Sequence, residues 1–237
     1  VLGALSCFGR NGGRANAKGA PVSVNLQDFK RGEDIEAESF RIIDAEAPEP
    51  RPFAGGEWCV VRRMIHTTAD FEMMELTRFH PRALAAGVAA LKAGAKIVTD
   101  TQMARAGIPA RRTERLGCEV RCLMDDPEAR ERAAREGVTR AHAAVDLALD
   151  RHRPDIYVIG NAPTALLRLL ERLAAGAPRP TLIVGMPVGF VNAAQSKELL
   201  MAQTDVPYIC VRGRKGGSAL AASAVNALAE LALAELG

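Results

Sequence analysis

From residue 34 onward, the apolar positions of the chain alternate between two periods. AKIVTD, EVRCLM, DIYVIG, TLIVGM and PYICVRG are short runs rich in β-branched residues, each about strand length. Continuous apolar runs of this kind suit strands buried on both faces of a parallel sheet. Helical spacing fills the intervals. DIEAESFRIIDAEA can place Ile35, Ser39, Ile42 and Ile43 on one face before the proline-rich EPRPF breaks it. FHPRALAAGVAALKAG reads as a helix entered through Pro81 and closed at Gly94. In TALLRLLERLAAG, Leu166, Leu169, Leu170 and Leu173 follow the 3.6-residue period, with Asn161 or Thr164 as the cap. AAQSKELLMAQ and the alanine- and leucine-rich GGSALAASAVNALAELALAEL are two further helices.

Strands alternating with helices imply one α/β domain, a mainly parallel sheet between two helical layers joined by right-handed crossovers. The chain divides into residues 1–33, a glycine-containing extension without sustained periodicity that is expected to be flexible, with residues 1–30 dispensable for chemistry, and a single domain over 34–237. Nothing at the N-terminus has the order of regions expected of a secretory signal, and charged residues interrupt every apolar run before membrane length. A cytoplasmic protein is the expectation.

Composition narrows the function classes. At 237 residues the chain can bury a sizeable core, and 48% hydrophobic with 25% charged residues is ordinary for a globular protein. A net charge of +3 and 4% aromatics argue against a nucleic-acid binder. The cysteines at 7, 59, 118, 122 and 210 have neither CxxC nor zinc spacing, which fits reduced core thiols and no protein-bound metal.

Open parallel sheets bind ligands beyond the carboxyl ends of their strands. Those ends carry Thr99 and Asp100, Asp125 and Asp126, Gly160 and Asn161, the stretch MPVGF, and RGRKGG with Arg212, Arg214 and Lys215. A glycine-rich basic turn entering a helix can hold an anion or can be a solvated loop, and RGRKGGS is neither a Walker loop nor GxGxxG. Asp100 and Asn161 suit turn formation or capping as well as substrate contact. The stretch VVRRMIHTTADFE puts Arg62, Arg63 and His66 beside core-facing Val60, Val61, Met64 and Ile65, where a strand or buried turn hands over to a helix. In a helix Arg63 and His66 would share a face, with Arg62 turned away. In an extended segment they would oppose each other.

RRMIHTTADFE, KAGAKIVTDTQM, GNAPTALLRLLE, GMPVGFVNAAQSKELL and RGRKGGSALAASAVNAL occur in that order. Together they resemble the precorrin-8X methylmutases of cobalamin biosynthesis, over about residues 34–236. The resemblance implies a flavodoxin-like three-layer α/β/α subunit, a homodimer, and a ring-contracted tetrapyrrole as substrate. It implies migration of a methyl group from C11 to C12 by a 1,5-sigmatropic shift, converting cobalt-precorrin-8 to cobyrinate or precorrin-8X to hydrogenobyrinate. HTTADF is closer to the branch whose substrate carries cobalt. The migrating group belongs to the substrate, so no cofactor is implied. The family's catalytic histidine falls on His66, its substrate-binding arginine on Arg63 and its substrate-contacting serine on Ser39. Read without the family, the Ser39 hydroxyl can equally bond the preceding helical turn. Histidine can donate and recover a proton near neutral pH, while Arg63 and the 212–217 loop could hold the substrate's carboxylates. A non-catalytic corrinoid carrier would use the same loops without needing an acid at 66, and a phosphate- or nucleotide-binding α/β enzyme would use the glycine turns. For the dimer, the apolar surface of the last helix, Ala219 to Leu236, is the natural interface, unless it packs on its own sheet.

Overall fold

The computed structural model describes residues 31–236. Most of the expected extension therefore lies outside the described residues, although Gly32 already opens the first helix, α1 (Gly32–Glu46). The chain from Phe40 onward forms one compact unit, and α1 up to Ser39 is taken by itself. Of the expected face Ile43 is buried, as is Ala47 just past the end of α1, whereas Ile35 and Ile42 are exposed.

All five expected strands form: β2 (Lys96–Thr99), β3 (Glu119–Cys122), β4 (Ile156–Ile159), β5 (Leu182–Gly185) and β6 (Tyr208–Val211). They are mutually parallel and lie in the order β3-β2-β4-β5-β6, the flavodoxin-like winding. A further strand, β1 (Thr77–Phe79), runs antiparallel along β6 and completes a six-stranded sheet. Alternation along the buried strands feeds two cores. Ile156 and Val158 of β4 face α2 (Gly55–Thr68), α4 (Ala83–Lys92) and α11 (Ser218–Ala234), while Tyr157 and Ile159 face α8 (Arg140–Leu147), α9 (Pro163–Ala174) and α10 (Ala193–Ala202).

Several local readings change. Residues 60–68 are neither strand nor turn; all belong to the continuous helix α2. Val60, Val61, Met64 and Ile65 recur at i, i+1, i+4 and i+5, a helical face that also looks like a short apolar run. Pro81 does not begin α4, because Phe79 is still in β1 and the His80 N–H is held by the Tyr208 carbonyl at 2.9 Å. Ala162, rather than Asn161 or Thr164, is the N-cap of α9, with Pro163 in its first turn. The last helix buries eleven residues within its own chain, packing on α2 and α4, so its apolar surface is no longer an argument for a dimer. No helix among the described residues is long and apolar enough to cross a membrane.

Candidate functional site at the carboxyl edge of the sheet

Strand β1 determines what meets at this edge. Because it is antiparallel to β6, Thr77 pairs with Val211, and the segment leading into β1 arrives where β6 ends. That segment follows α2 directly, so the helix terminus carrying His66 is delivered to the carboxyl edge. Two contacts hold it there. The Arg212 N–H donates to the Leu76 carbonyl at 2.9 Å, and Lys215 Nζ donates to Asp70 Oδ2 and Glu72 Oε2, each at 2.5 Å. The Lys215 ammonium holds the Asp70 carboxyl below its ordinary value, aided by the N–H of Glu72.

His66 is half-buried in the last turn of α2, and its ring meets Phe40 edge-on at 5.3 Å. Thr67 and Thr68 donate their hydroxyls back to the carbonyls of Arg63 and Met64, and Ala69 closes the helix in the left-handed region at φ 51°. Arg63 lies one turn before His66 on the same helix and is almost wholly buried. Its Nη2 donates to both carboxylate oxygens of Glu230 on α11, at 2.7 and 2.6 Å, and Arg112 joins the same carboxylate. Arg62 turns instead to Asp44, 2.7 Å away. Both guanidinium groups also approach the Phe40 ring, at 4.6 Å for Arg62 and 5.1 Å for Arg63. Phe40 and Glu230 thus organise the histidine and arginine pair, although their own sequence neighbourhoods read as plain helix. Ser39 donates to the Ile35 carbonyl at 2.8 Å, bonding within α1 itself.

The strand-end residues divide by role. Thr99 is buried, its hydroxyl given to the Thr101 carbonyl at 3.0 Å. Asp100 is also buried and accepts the N–H groups of Gly160, Asn161 and Ala162 at 2.9, 2.8 and 2.8 Å. Burial pushes its carboxyl above the ordinary value, against the three donors that favour the anion. It therefore ties β2 to β4 across the topological switch point and serves the loop's shape. The side chain of Asn161 is exposed. Arg212, Arg214 and Lys215 are exposed as well, and the Arg214 guanidinium lies 5.2 Å from the Phe190 ring. Phe190 and Val191 are the most exposed large apolar side chains of the described residues, at 83% and 77%.

These loops are fastened to one another through their backbones. Gly189 N donates to the Arg214 carbonyl and Gly217 N to that of Met186. Glycine is required where they touch: a Cβ on Gly216 would fall 2.2 Å from the Met186 carbonyl oxygen, and one on Gly160 would fall 2.6 Å from the Ser218 Cα. A cleft of about 920 Å³ lies nearby, lined by Phe53, Phe71, Phe79, Glu57, Glu72 and Glu75 among others. Its carboxylates give it the wrong sign for a polyanionic ligand, and His66 is not in its wall. The four described cysteines are unpaired thiols, and no group of His, Cys, Asp and Glu among the described residues could hold a metal ion.

Fold and edge together define the class: an α/β protein whose candidate site lies where strand-end loops meet the terminus of one helix. Residues 34–231 match the family model described as precorrin-8X methylmutase, and the chain belongs to that family, isomerases that shift a methyl group within one molecule. It is 46% identical over 202 residues to the precorrin-8X methylmutase of Pseudomonas aeruginosa, covering 85% of this chain and 96% of that one. The cobalt-precorrin-8 methylmutase of Leptospira interrogans is 44% identical over 204 residues, 83% of this chain and 92% of the relative. The crystal structure of a precorrin-8X methylmutase from Thermus thermophilus superposes with a TM-score of 0.80 at 48% identity, covering 86% of this chain and 98% of that one.

Proposed function

We propose that the chain moves a methyl group from C11 to C12 of a ring-contracted tetrapyrrole, cobalt-precorrin-8 or its metal-free counterpart precorrin-8X. His66 is the proton-transfer residue. Its imidazole protonates the conjugated macrocycle, the C11–methyl bond breaks as the C12–methyl bond forms, and the proton returns to the imidazole. No electrons are gained or lost and the methyl group is the substrate's own, so no cofactor takes part. Arg63 orients a substrate carboxylate beside His66, its guanidinium already set by Glu230 and Phe40 before substrate arrives. Arg212, Arg214 and Lys215 receive further carboxylates on the ring's rim. Ser39, Thr99, Asp100 and Asn161 are the remaining contacts in this reading. The burial of Thr99 and Asp100 favours a part in loop shape over direct contact.

The observation that carries the reading is the delivery of the His66 helix terminus to the basic loop, through Lys215, in a chain of this family. The reading also includes a cytoplasmic homodimer, supported by the family resemblance and not by α11. Purified protein is incubated separately with precorrin-8X and with cobalt-precorrin-8 and followed by absorption. Conversion of the cobalt compound at the higher kcat/KM is the expected result, conversion of precorrin-8X alone assigns the metal-free branch, and binding without conversion of either overturns the reading. A monomeric mass by light scattering at micromolar concentration overturns the dimer.

A further inference from the structure

Helix α10 turns one face inward, made by Ala193, Ser196, Lys197 and Leu200 at i, i+3, i+4 and i+7. Alanine, serine and leucine suit that face. A lysine does not, because lysine is almost never fully buried unless paired. Lys197 has 0% exposure, and its Nζ donates to the main-chain carbonyl of Lys215 at 2.6 Å. Among the described residues no carboxylate pairs with it, and the ionisable group that faces it is the fully buried thiol of Cys210 on β6. A cation without a counter-ion in a dry interior is a costly placement.

What the lysine holds explains where it is. The flanks of the basic loop are tied by backbone: Arg214 O to Gly189 N, and Gly217 N to Met186 O. Between them, the carbonyl of Lys215 points inward to Lys197, while its ammonium points outward to Asp70 and Glu72, just beyond the His66 helix. One residue thus joins a buried post to the segment that carries the imidazole.

We propose that Lys197 is a positioning residue for the methyl shift: from beneath the sheet edge it fixes the 212–217 loop in the shape that presents Arg212 and Arg214 to the substrate's carboxylates. This rests on reading the loop as the substrate's anionic anchor. The test compares K197M, R214Q and the double variant of the full chain, by steady-state kinetics on whichever tetrapyrrole the wild type converts, and by thermal unfolding. K197M, which keeps the shape and removes the charge and the donor, is expected to raise KM roughly tenfold, the scale of one charge-assisted hydrogen bond, with kcat nearly unchanged. Its melting temperature at pH 7 stays level or rises, since a Met in place of an unpaired buried charge is not a loss of packing. The double variant is expected to bind about as well as R214Q alone, because both changes act through one loop. A lower kcat at unchanged KM with a lower melting temperature would mark a merely structural lysine and overturn the proposal, as would strictly additive effects. R214Q impaired with K197M at wild-type KM overturns the proposal alone, whereas R214Q at wild-type KM overturns the anchor reading and the proposal with it. If K197M does not fold, K197Q, which retains an N–H donor, is measured instead. A smaller rise in KM is then expected, and an unchanged KM overturns the proposal.

Discussion

Two charges are fully buried on the same side of the sheet, and the protein treats them in opposite ways. Asp146 on α8 is surrounded by cations: Arg168 reaches it through Nε at 2.9 Å and Nη2 at 3.1 Å, Arg172 makes a third hydrogen bond, and Arg132 stands at 3.7 Å. Burial works to raise its carboxyl, but the hydrogen bonds of Arg168 and Arg172 and the charges of Arg168 and Arg132 outweigh it and leave the group below its ordinary value. Lys197 on α10, also without exposure, has one carbonyl. The first arrangement is the way helices are pinned together, here α8 to α9. The second sacrifices stability at a place where a loop must keep its shape. In this pair of fully buried charges, the paired one joins helices and the one without a counter-ion holds a loop.

The largest expected effect separates the regions outright. H66A should lower single-turnover methyl migration by roughly 10²–10⁴-fold, the usual worth of a positioned proton donor, while its unfolding curve stays near wild type because the ring is only half-buried. Migration at the wild-type rate would remove His66 from the chemistry. D146N should do the reverse, leaving KM alone but costing about 3 kcal/mol in urea unfolding, the low end for breaking a buried pair, since its arginine partners keep some contact with water. The pH dependence has a definite sign. With the folded value lowered from 3.8, Asp146 stabilises the fold above that pH, and its contribution disappears as pH falls below it through the folded value. The variant's acid limb should therefore be shallower than the wild type's, and identical limbs would show the cluster to be idle.

The same contrast explains what could be read from residue order alone. The five parallel strands were legible because strands buried on both faces have no polar positions to break the run. Strand β1 was not: TRF is three residues long, held in place by β6, and only tertiary structure reveals it. Missing β1 also hid why His66 belongs at the carboxyl edge. The helix PEARERAARE, α7 (Pro127–Glu136), has no legible apolar stripe, because its buried face is only Ala129 and Ala133. His66 and the basic loop stand out as motifs, whereas Glu230 and Lys197 do not, since charged residues on helices ordinarily face water, and Phe40 looks like any apolar helix position. For Lys197 a signal existed: it shares the i, i+3, i+4, i+7 spacing of Ala193, Ser196 and Leu200, the face that the apolar residues mark as inward.

A smaller change tests whether the loop's shape matters apart from its charges. G216A adds one methyl group where the Met186 and Pro187 carbonyls stand 2.2 and 2.8 Å away, and backbone cannot swing aside as a flexible side chain would. The expected cost is about 1–3 kcal/mol of stability together with a raised KM, as the loop lifts from its neighbours. G213A should change KM little, because nothing crowds that position, although its φ of 72° carries its own strain. Equal KM values in the two variants would show that the close approach at Gly216 has no bearing on binding.

The smallest effect is the most specific to Lys197. Burial lowers its ammonium from 10.5 to about 8, so between those values the unfolded chain holds a proton that the folded chain has released. Stability from this residue must then rise with pH across that window, opposite in sign to a lysine held by a carboxylate. Below about 8 the folded chain carries the buried charge at full cost, and above 10.5 the difference has stopped growing. Cys210, the ionisable group facing it, adds a slope of the opposite sign, since burial pushes its folded thiol from 9.0 up to about 12, but wild type and K197M both carry it and the difference between them removes it. Surface groups contribute slopes of their own, so the measurement is a difference: urea unfolding of wild type and K197M at pH 7, 8, 9 and 10. The gap between the two should narrow or reverse in favour of the wild type as pH rises. A constant gap would mean that Lys197 titrates like an exposed lysine, and the contrast with Asp146 would then be one of pairing alone, with no buried charge to explain.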